Sequence, residues 1–346
     1  MDSRPLIFDY DLEELREIVS SWGEPDYRAN QIWQDLYQQL KGSVDHLTNL
    51  PKPLRQRLSE QFSFSGLKAD IFLESKDGET HKTLFRLRDG QAIEAVLMHF
   101  ENRRSICIST QVGCGMGCVF CATGQMGFRR NLSSGEIVEQ VLYYARQLQI
   151  RGERVTHVVV MGMGEPFHNY EETMAAIDRL NHPEGINLGA RRFTISTVGL
   201  VPMIRRFANE RSQVNLAISL HASDDELRSS MLPINRKYPI NALLEACRDY
   251  VEKTHRRITF EWALIQDVND SPEQARKLGS LLKGLLCHVN VIPLNPTRGY
   301  SGEATTQARA RAFRDELQHT GIPCTIRIRR GIDIQAGCGQ LAIERN

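Results

Sequence analysis

The chain has almost no net charge, no long apolar run and no low-complexity segment. Its 346 residues carry 43 basic and 42 acidic side chains, a formal charge of +1. A generic nucleic-acid coat, which works through global positive charge, is excluded, so contact with nucleic acid would need local basic patches. The apolar run around 158–161 is far too short to cross a bilayer, which takes about 20 residues, so no membrane association is expected. The opening MDSRPLIFDYDLEELREI is acidic and lacks the basic start and apolar core of a signal peptide, so a cytoplasmic location is expected.

Cysteine, by contrast, is present and unevenly placed, at 107, 114, 118, 121, 247, 287, 324 and 338. A disulfide framework is unusual in so large a cytosolic chain. The crowding between 107 and 121 points instead to metal or redox chemistry. Cys247, Cys287 and Cys324 have no motif around them and read as structural.

Hydrophobic periodicity divides the chain into four parts. Residues 1–62 read as a helical accessory domain, with Leu12, Leu15 and Ile18, then Ile32, Trp33, Leu36 and Leu40, at helical spacing. Pro51 and Pro53 interrupt the pattern. Residues 63–100 read as a β-hairpin extension, punctuated by Asp77-Gly78 and Asp89-Gly90. From 101 to 328 strands alternate with helices. Strands are expected near 105–109, 156–161, 192–196, 214–220, 258–265 and 288–292, with a last one near 324–328. Helices are expected near 134–149, 170–181, 200–208, 240–254, 272–284 and 305–319. The first of these opens with Ser133 and Glu136, a capping-box pair. Six βα units make an α/β fold, a parallel sheet too short for a complete eight-unit barrel. The expected architecture is a partial (β/α)6 barrel followed by a tail, 329–346.

Cys114-Gly-Met-Gly-Cys118-Val-Phe-Cys121 falls between the first strand and first helix of this repeat, at the sheet edge where βα enzymes place their chemistry. Three thiolates on one loop can ligate three irons of a [4Fe-4S] cubane and leave the fourth open. A structural zinc site normally takes four protein ligands, and no fourth cysteine is close in sequence. One βα unit later the apolar strand 156–161 runs into Gly162-Met163-Gly164-Glu165-Pro166. This looks like the glycine-rich segment of radical S-adenosylmethionine (SAM) enzymes that holds the amino group of SAM. Glycine exposes backbone there, and Glu165 offers an anionic partner for an ammonium.

With these residues assembled, the chain resembles the RlmN/Cfr family of radical SAM adenine methyltransferases over nearly its whole length. The matching stretches are Cys107-Ile-Ser-Thr-Gln-Val-Gly-Cys114, the cysteine loop, Gly127-Phe-Arg-Arg-Asn-Leu132, the segment 161–166, Ile195-Ser-Thr197, Ser219-Leu-His221, Leu232-Pro-Ile-Asn235, Asn295-Pro296 and Ala336-Gly-Cys-Gly-Gln-Leu341. The resemblance implies one cluster on Cys114, Cys118 and Cys121, and SAM contacts at Gly164, Glu165, Ser196, Ser219, Leu220, His221 and Asn295. It implies two SAM per turnover. The first methylates Cys338. The second yields a radical that takes hydrogen from that methyl, and the resulting carbon radical adds to adenine. Cys107 then attacks the sulfur of Cys338, leaving a transient disulfide, while Glu94 serves as proton acceptor. The implied partners are 23S rRNA, tRNA and a flavodoxin- or ferredoxin-type electron donor, acting on a monomer.

Plainer readings stand beside these. His221 could be a satisfied structural histidine, Cys107 a small buried strand residue, and Glu94 a water-facing strand residue. The family has a C2-methylating branch and a C8-methylating branch that confers antibiotic resistance; Pro166 after Gly164-Glu165 resembles the C2 branch. A non-catalytic RNA-binding protein with a structural zinc, and a radical SAM enzyme acting on peptides or small molecules, are readings from other classes. Of the basic pairs at 129–130, 191–192, 205–206, 256–257 and 329–330, those expected at the active edge are Arg129, Arg130, Arg329 and Arg330.

Overall fold

Helical spacing of apolar residues and polar caps produces the first elements. The computed structural model describes residues 2–342, so residue 1 and residues 343–346 of the expected tail lie outside the described residues. Helix α1 (Leu12–Ser21) starts at Asp11, whose carboxylate accepts from Glu14 N–H while the Glu14 side chain accepts from Asp11 N–H. Helix α2 (Tyr27–Tyr37) buries Ile32, Trp33 and Leu36 but stops before Leu40. Leu40 takes a left-handed φ of 55°, and its carbonyl accepts from Arg146 Nε at 2.8 Å. Helix α3 (Lys52–Gln61) has Pro51 at its cap and Pro53 in its first turn, so the prolines begin a helix where the sequence suggested only an interruption.

Strands β1 (Leu67–Glu74), β2 (Thr80–Leu87) and β3 (Ala92–Phe100) form an antiparallel meander. β3 pairs with β4 (Arg103–Cys107). The extension is therefore not a separate hairpin but a continuation of the main sheet, and it covers what would be an exposed edge of β4. A small two-stranded ribbon follows, β5 (Gln111–Gly113) with β6 (Phe128–Asn131), and it brackets the short helix α4 (Ala122–Gln125). Both were invisible to periodicity because elements this short show no period.

The alternating units come next: α5 (Ser134–Ile150), β7 (His157–Val160), α6 (Tyr170–Asn181), β8 (Phe193–Thr197), α7 (Val201–Glu210), β9 (Asn215–Ser219), α8 (Asp225–Met231), α9 (Ile240–Thr254), β10 (Ile258–Leu264), α10 (Pro272–Leu282), β11 (Cys287–Pro293), α11 (Gln307–His319) and β12 (Cys324–Ile326). The sheet has ten strands in the order β1-β2-β3-β4-β7-β8-β9-β10-β11-β12. From β4 onward every pairing is parallel. This is the expected partial barrel, with each strand within about two residues of its expected position. The capping box at Ser133 and Glu136 is present, and Asp9 adds its carboxylate to Gly135 N–H at 2.8 Å at the same helix end. The N-terminal module and the barrel share one hydrophobic core that runs from Trp33 to Phe313. No helix among the described residues is long and apolar enough to cross a membrane.

One buried cation organises the loops above the strands. Arg228 of α8 is fully buried. Its guanidinium donates to the carbonyls of Val198 (2.7 Å), Ser219 (3.1 Å) and Leu220 (3.1 Å) and to Asn235 Oδ1 (2.8 Å). It thus ties the loops that leave β8 and β9. Arg228→Met should remove this donor from the Val198 and Ser219 carbonyls and Asn235 Oδ1, while the Leu220 carbonyl keeps Ala222 N–H, and should cost about 3 kcal/mol or more. The expected result is a melting temperature lower by roughly 4 °C; an unchanged melting curve would show that these loops are held by other contacts.

Candidate active site

The C-terminal ends of the parallel strands converge on a cavity of about 170 Å3. Its walls hold Cys114, Cys118 and Cys121 from the loop after β5, Gly164 and Glu165 after β7, Ser196 of β8, Ser219 of β9, His221, Asn295 after β11, and Cys338 from the tail. Of the expected cofactor residues only Leu220 does not line it. That side chain is fully buried in the core, so only its backbone can face a ligand.

The cysteine loop is held over a small core of its own. Met116, Val119 and Phe120 pack on Val198, Met231, Leu232 and Leu294, and Val119 N–H donates to Met231 O at 3.1 Å. Burial pushes the Cys114 thiol up to about 12, and Cys118 and Cys121 also rise, each for the same first reason. Thiols so desolvated keep their protons unless a cation shares the site. Among the described residues no three metal-ligating side chains already stand in binding range of one ion; the thiols face one space without having closed on it.

The glycine-rich turn works through close approach. Gly164 has φ +107°, and a Cβ there would lie 2.7 Å from the Gln111 side chain, so only glycine fits. Glu165 next to it is buried, and its two carboxylate oxygens accept from Phe167 N–H (3.0 Å) and Val198 N–H (2.9 Å). Burial raises its carboxyl to about 7, against the opposing pull of those hydrogen bonds. His221 sits in the left-handed region (φ 60°), and its Nδ1 accepts from Ala263 N–H at 2.9 Å. Burial drives its pKa down to about 3. The imidazole is therefore neutral with its proton on Nε2. The structural-histidine reading is half right: one nitrogen is used by the fold, and the ring still lines the cavity.

The tail crosses from β12 back to β2 and β3, joining the two ends of the open sheet. Arg330 donates to His99 O at 3.1 Å and lies over the Phe100 ring at 4.5 Å. Lys82 Nζ donates to Gln335 O at 3.2 Å. Glu94 Oε2 accepts from Ala342 N–H at 3.0 Å, and Glu94 Oε1 pairs with Lys82 Nζ at 3.1 Å. Glu94 is 2 % exposed, which overturns the reading that it faces water. It lines a small cavity with Lys82 behind the tail, not the cavity of the cysteine loop.

Between these anchors Cys338 is exposed. Its carbonyl accepts from Asn295 Nδ2 at 3.0 Å, and Gly339 O accepts from Ala122 N–H at 2.7 Å. Cys338 also lines a second cavity, of about 330 Å3, together with Cys107 and Arg327. Cys107 is buried, and desolvation pushes its thiol up to about 12, with Cys338 nearby adding to the rise. All cysteines among the described residues are free. Because Cys338 reaches the cluster-side cavity as well, a fourth thiol is close in space although none is close in sequence. Ligand count alone therefore does not exclude zinc.

Several contributors carried no sequence signal. Arg327 lies between the two cavities and faces Glu261 Oε2 at 3.7 Å; proximity to Cys338 is the first cause of its raised pKa. Lys82 and Arg228 are likewise cations recognisable only from what folds around them. Of the expected basic residues, Arg130 is consumed by Glu136 (2.8 Å) and Asp89 (2.5 Å), whereas Arg329 lines the second cavity.

Comparison with known proteins now bears on this geometry. Residues 108–278 match the Radical SAM superfamily, and residues 7–63 match the ribosomal RNA large subunit methyltransferase N-terminal domain. A crystal structure of a radical SAM methyltransferase from Sphaerobacter thermophilus superposes with a TM-score of 0.96 at 51% identity, covering 98% of this chain and 100% of that one. A protein of Chloroflexus aurantiacus named "Probable dual-specificity RNA methyltransferase RlmN" is 51% identical over 97% of this chain and 92% of its own length. The "Dual-specificity RNA methyltransferase RlmN 1" of Myxococcus xanthus is 49% identical over 98% of this chain and 95% of its own length.

The cavity fits the cofactors of that superfamily, a [4Fe-4S] cluster and SAM. Three thiols supply a donor set for iron. Two buried acceptors on the same walls, Asn295 Oδ1 and Glu261 Oε2, have no hydrogen-bond partner; a ligand bearing ammonium, hydroxyl and amine donors would satisfy them.

Removing the cation behind the tail isolates what holds Cys338 in place. Lys82→Met should leave Glu94 buried beside an apolar neighbour and cost about 3 kcal/mol. Amide hydrogen exchange at Ala342 and across 335–341 should accelerate while the sheet stays protected. Unchanged exchange in the tail would show that other contacts suffice.

Proposed function

This chain belongs to the RlmN family of radical SAM RNA methyltransferases, and from that premise we propose that it methylates C2 of an adenosine in 23S rRNA, at the peptidyl-transferase centre, and of an anticodon-loop adenosine in tRNA. The observation that carries the proposal is the position of Cys338. Its thiol borders both the cavity of the cysteine loop and the cavity of Cys107, as a carrier must if it receives a group on one side and delivers it on the other.

Cys114, Cys118 and Cys121 would hold the cluster, which with bound SAM supplies a hydrogen-abstracting radical. Glu165 would meet the SAM ammonium, with Ser196, Ser219, His221 and Asn295 and the backbone of Gly164 and Leu220 completing the contacts. Two SAM molecules are consumed per product, one of them to methylate Cys338. Arg327 places a guanidinium beside Cys338, whose proximity is the first cause of the raised Arg327 pKa. Cys107 acts last: its sulfur bonds to that of Cys338 as the Cys338 sulfur–carbon bond breaks and the carbon leaves on the product. Its burial keeps it a thiol, not a thiolate, so it must lose its proton as it attacks, which protects it from early methylation. Glu94 is the proton acceptor in this reading. A flavodoxin- or ferredoxin-type protein would deliver the electrons, and the enzyme would act as a monomer.

Binding of an ammonium requires the ionised form of Glu165. With its carboxyl raised to about 7, SAM affinity should fall as pH drops below that value, by up to about tenfold per unit. Glu165→Gln should weaken SAM binding about 10-fold or more at pH 8 and abolish the acid-side fall. Calorimetric titration of the cluster-loaded enzyme checks this, and a pH dependence kept in the variant would place the titrating group elsewhere.

The regiochemistry is read directly from nucleosides of rRNA and tRNA, taken from a host that lacks the endogenous enzyme and expresses this chain. Mass spectrometry should find 2-methyladenosine in both; 8-methyladenosine would overturn the C2 assignment, and an unmethylated tRNA the dual specificity. Cys338→Ala should abolish methylation with iron content intact, and Cys107→Ala should accumulate a covalent protein–RNA adduct. Turnover by the first variant, or no adduct in the second, would remove the carrier and resolving roles.

A further inference from the structure

At the end of the barrel away from the cysteine loop, arginines stand at the entrances of alternate parallel strands. Arg103 opens β4, Arg191 lies just before β8, and Arg256 and Arg257 lead into β10. With His255 and His288 they line one polar cavity of about 780 Å3, whose walls contain no Asp or Glu side chain among the described residues.

Several exposed arginines elsewhere are matched by carboxylates, as Arg206 is by Glu171 and Glu210, Arg276 by Glu316, and Arg309 by Asp267 and Asp270; what sets the cup apart is that four arginines without a carboxylate partner among the described residues line one concavity. Around the cup the partners are neutral. Arg191 and Arg256 both donate to Gln213 Oε1, at 3.1 and 2.9 Å, and Arg256 also donates to Asn215 Oδ1 at 2.7 Å. Amide oxygens orient guanidinium groups without neutralising them. No carboxylate pairs with Arg256 among the described residues. In a chain of net charge +1, so many unmatched cations in one concavity focus a positive potential there.

The cup is also continuous with the catalytic side. Arg103 lines both this cavity and the one that holds Cys107 and Cys338. Its guanidinium lies over Phe100 at 4.1 Å, and burial together with the nearby Arg327 and Arg330 holds its pKa below the ordinary arginine value. A track of cations thus runs from the two thiols to the strand entrances, about 20 Å for strands of this length at roughly 3.3 Å per residue.

We infer that this arginine cup binds the phosphate backbone of the RNA substrate, as an anchor remote from the modified base. The inference rests on the RNA-methylating reading above and adds to it a second point of contact. Guanidinium forks match phosphate oxygens, and the lining of the cup holds four arginines but no Phe, Tyr or Trp among the described residues. An RNA strand is favoured over an acidic protein because the row of cations leads from the cup to Cys107 and Cys338, and an extended phosphate backbone can follow such a row.

The test uses the cluster-loaded enzyme with two RNAs: a transcript of the rRNA region around the peptidyl-transferase centre, and a short hairpin holding only the target loop. The variant R191Q/R256Q/R257Q removes three charges while glutamine keeps donors for Gln213 and Asn215. For the long transcript, the slope of log affinity against log salt should become shallower by about 2, at about 0.7 per lost phosphate contact, and affinity should fall about tenfold or more. The loss in kcat/KM should be larger on the transcript than on the hairpin. Lys277→Glu, on the outer wall beside Glu273, is the charge control and should keep the wild-type slope. Should the triple variant fail to fold, R257Q alone removes a side chain with no hydrogen bond among the described residues and should shift the slope by about 0.7. An unchanged slope in a folded variant overturns the inference. So does normal RNA affinity with turnover lost when a flavodoxin supplies electrons but kept with dithionite, since that result assigns the cup to an acidic reductant. Failure of the wild-type enzyme to methylate either RNA would instead bring down the functional reading, and the RNA assignment of the cup with it.

Discussion

The buried pair of Lys82 and Glu94 holds the strap that closes the open sheet, and the position of Cys338 follows from it. The two residues sit on neighbouring antiparallel strands, where Leu84 is directly opposite Glu94 and Lys82 is its diagonal neighbour. An ion pair removed from water gains only if its remaining hydrogen-bonding capacity is filled. Here the tail does the filling. Gln335 O takes a proton of Lys82, and Ala342 N–H reaches the second oxygen of Glu94. The dependence is mutual: without the tail the pair is a costly buried charge, and without the pair the tail has no fixed seat on β2 and β3. Six residues hang between those two grips, and Cys338 is among them.

Charge is arranged around the thiols on the same principle. Cys107, Cys114, Cys118 and Cys121 are all pushed toward the thiol form by burial. Two cations face them from opposite sides. Arg228, near Cys118, is spent on four backbone and amide oxygens of the loops. Arg327, near Cys338 and Cys107, has only a long contact to Glu261. The first stabilises architecture and the second leaves positive charge for a thiolate. A cluster in the cavity would supply the compensating charge on the cysteine-loop side, so the two cavities need different sources of positive charge for what happens in them.

The parallel sheet was legible in the sequence because each strand is an apolar run between turn residues and each helix has a full apolar face. The cysteine loop and the glycine-rich turn at Glu165 stood out because their chemistry comes with a local spacing, whereas His221 was named only through the resemblance carried by Ser219-Leu-His221. Lys82, Arg228 and Arg327 were not, since a buried cation looks like any surface lysine or arginine until its partners, which come from distant segments, surround it. Glu94 shows the same difficulty from the other side: alternation along Ile93-Glu94-Ala95 suggests one residue facing water, but the tail covers that face. The ribbon of β5 and β6 escaped because three or four residues carry no period. The arginines before β8 and β10 were visible as pairs in the chain and Arg103 was not singled out; only the parallel topology brings them to one rim.

A carrier thiol has to visit two places, and the anchors limit how it can do so. Gly337 is packed so tightly that a Cβ would meet Asn295 Nδ2 at 2.6 Å, while Asn295 also holds the Cys338 carbonyl and Ala122 holds that of Gly339. Swinging the whole segment would break these contacts together and also uncover the Lys82–Glu94 pair. Yet Cys338 already borders both cavities from one backbone position. Rotation about its side-chain bonds, which takes picoseconds to nanoseconds for an exposed residue, therefore suffices to turn the sulfur from one cavity to the other. The backbone grip and the side-chain freedom are then complementary. Fixing the Cα of Cys338 between the two spaces is what allows so short a side chain to serve both, and a looser tail would lengthen the search without extending the reach.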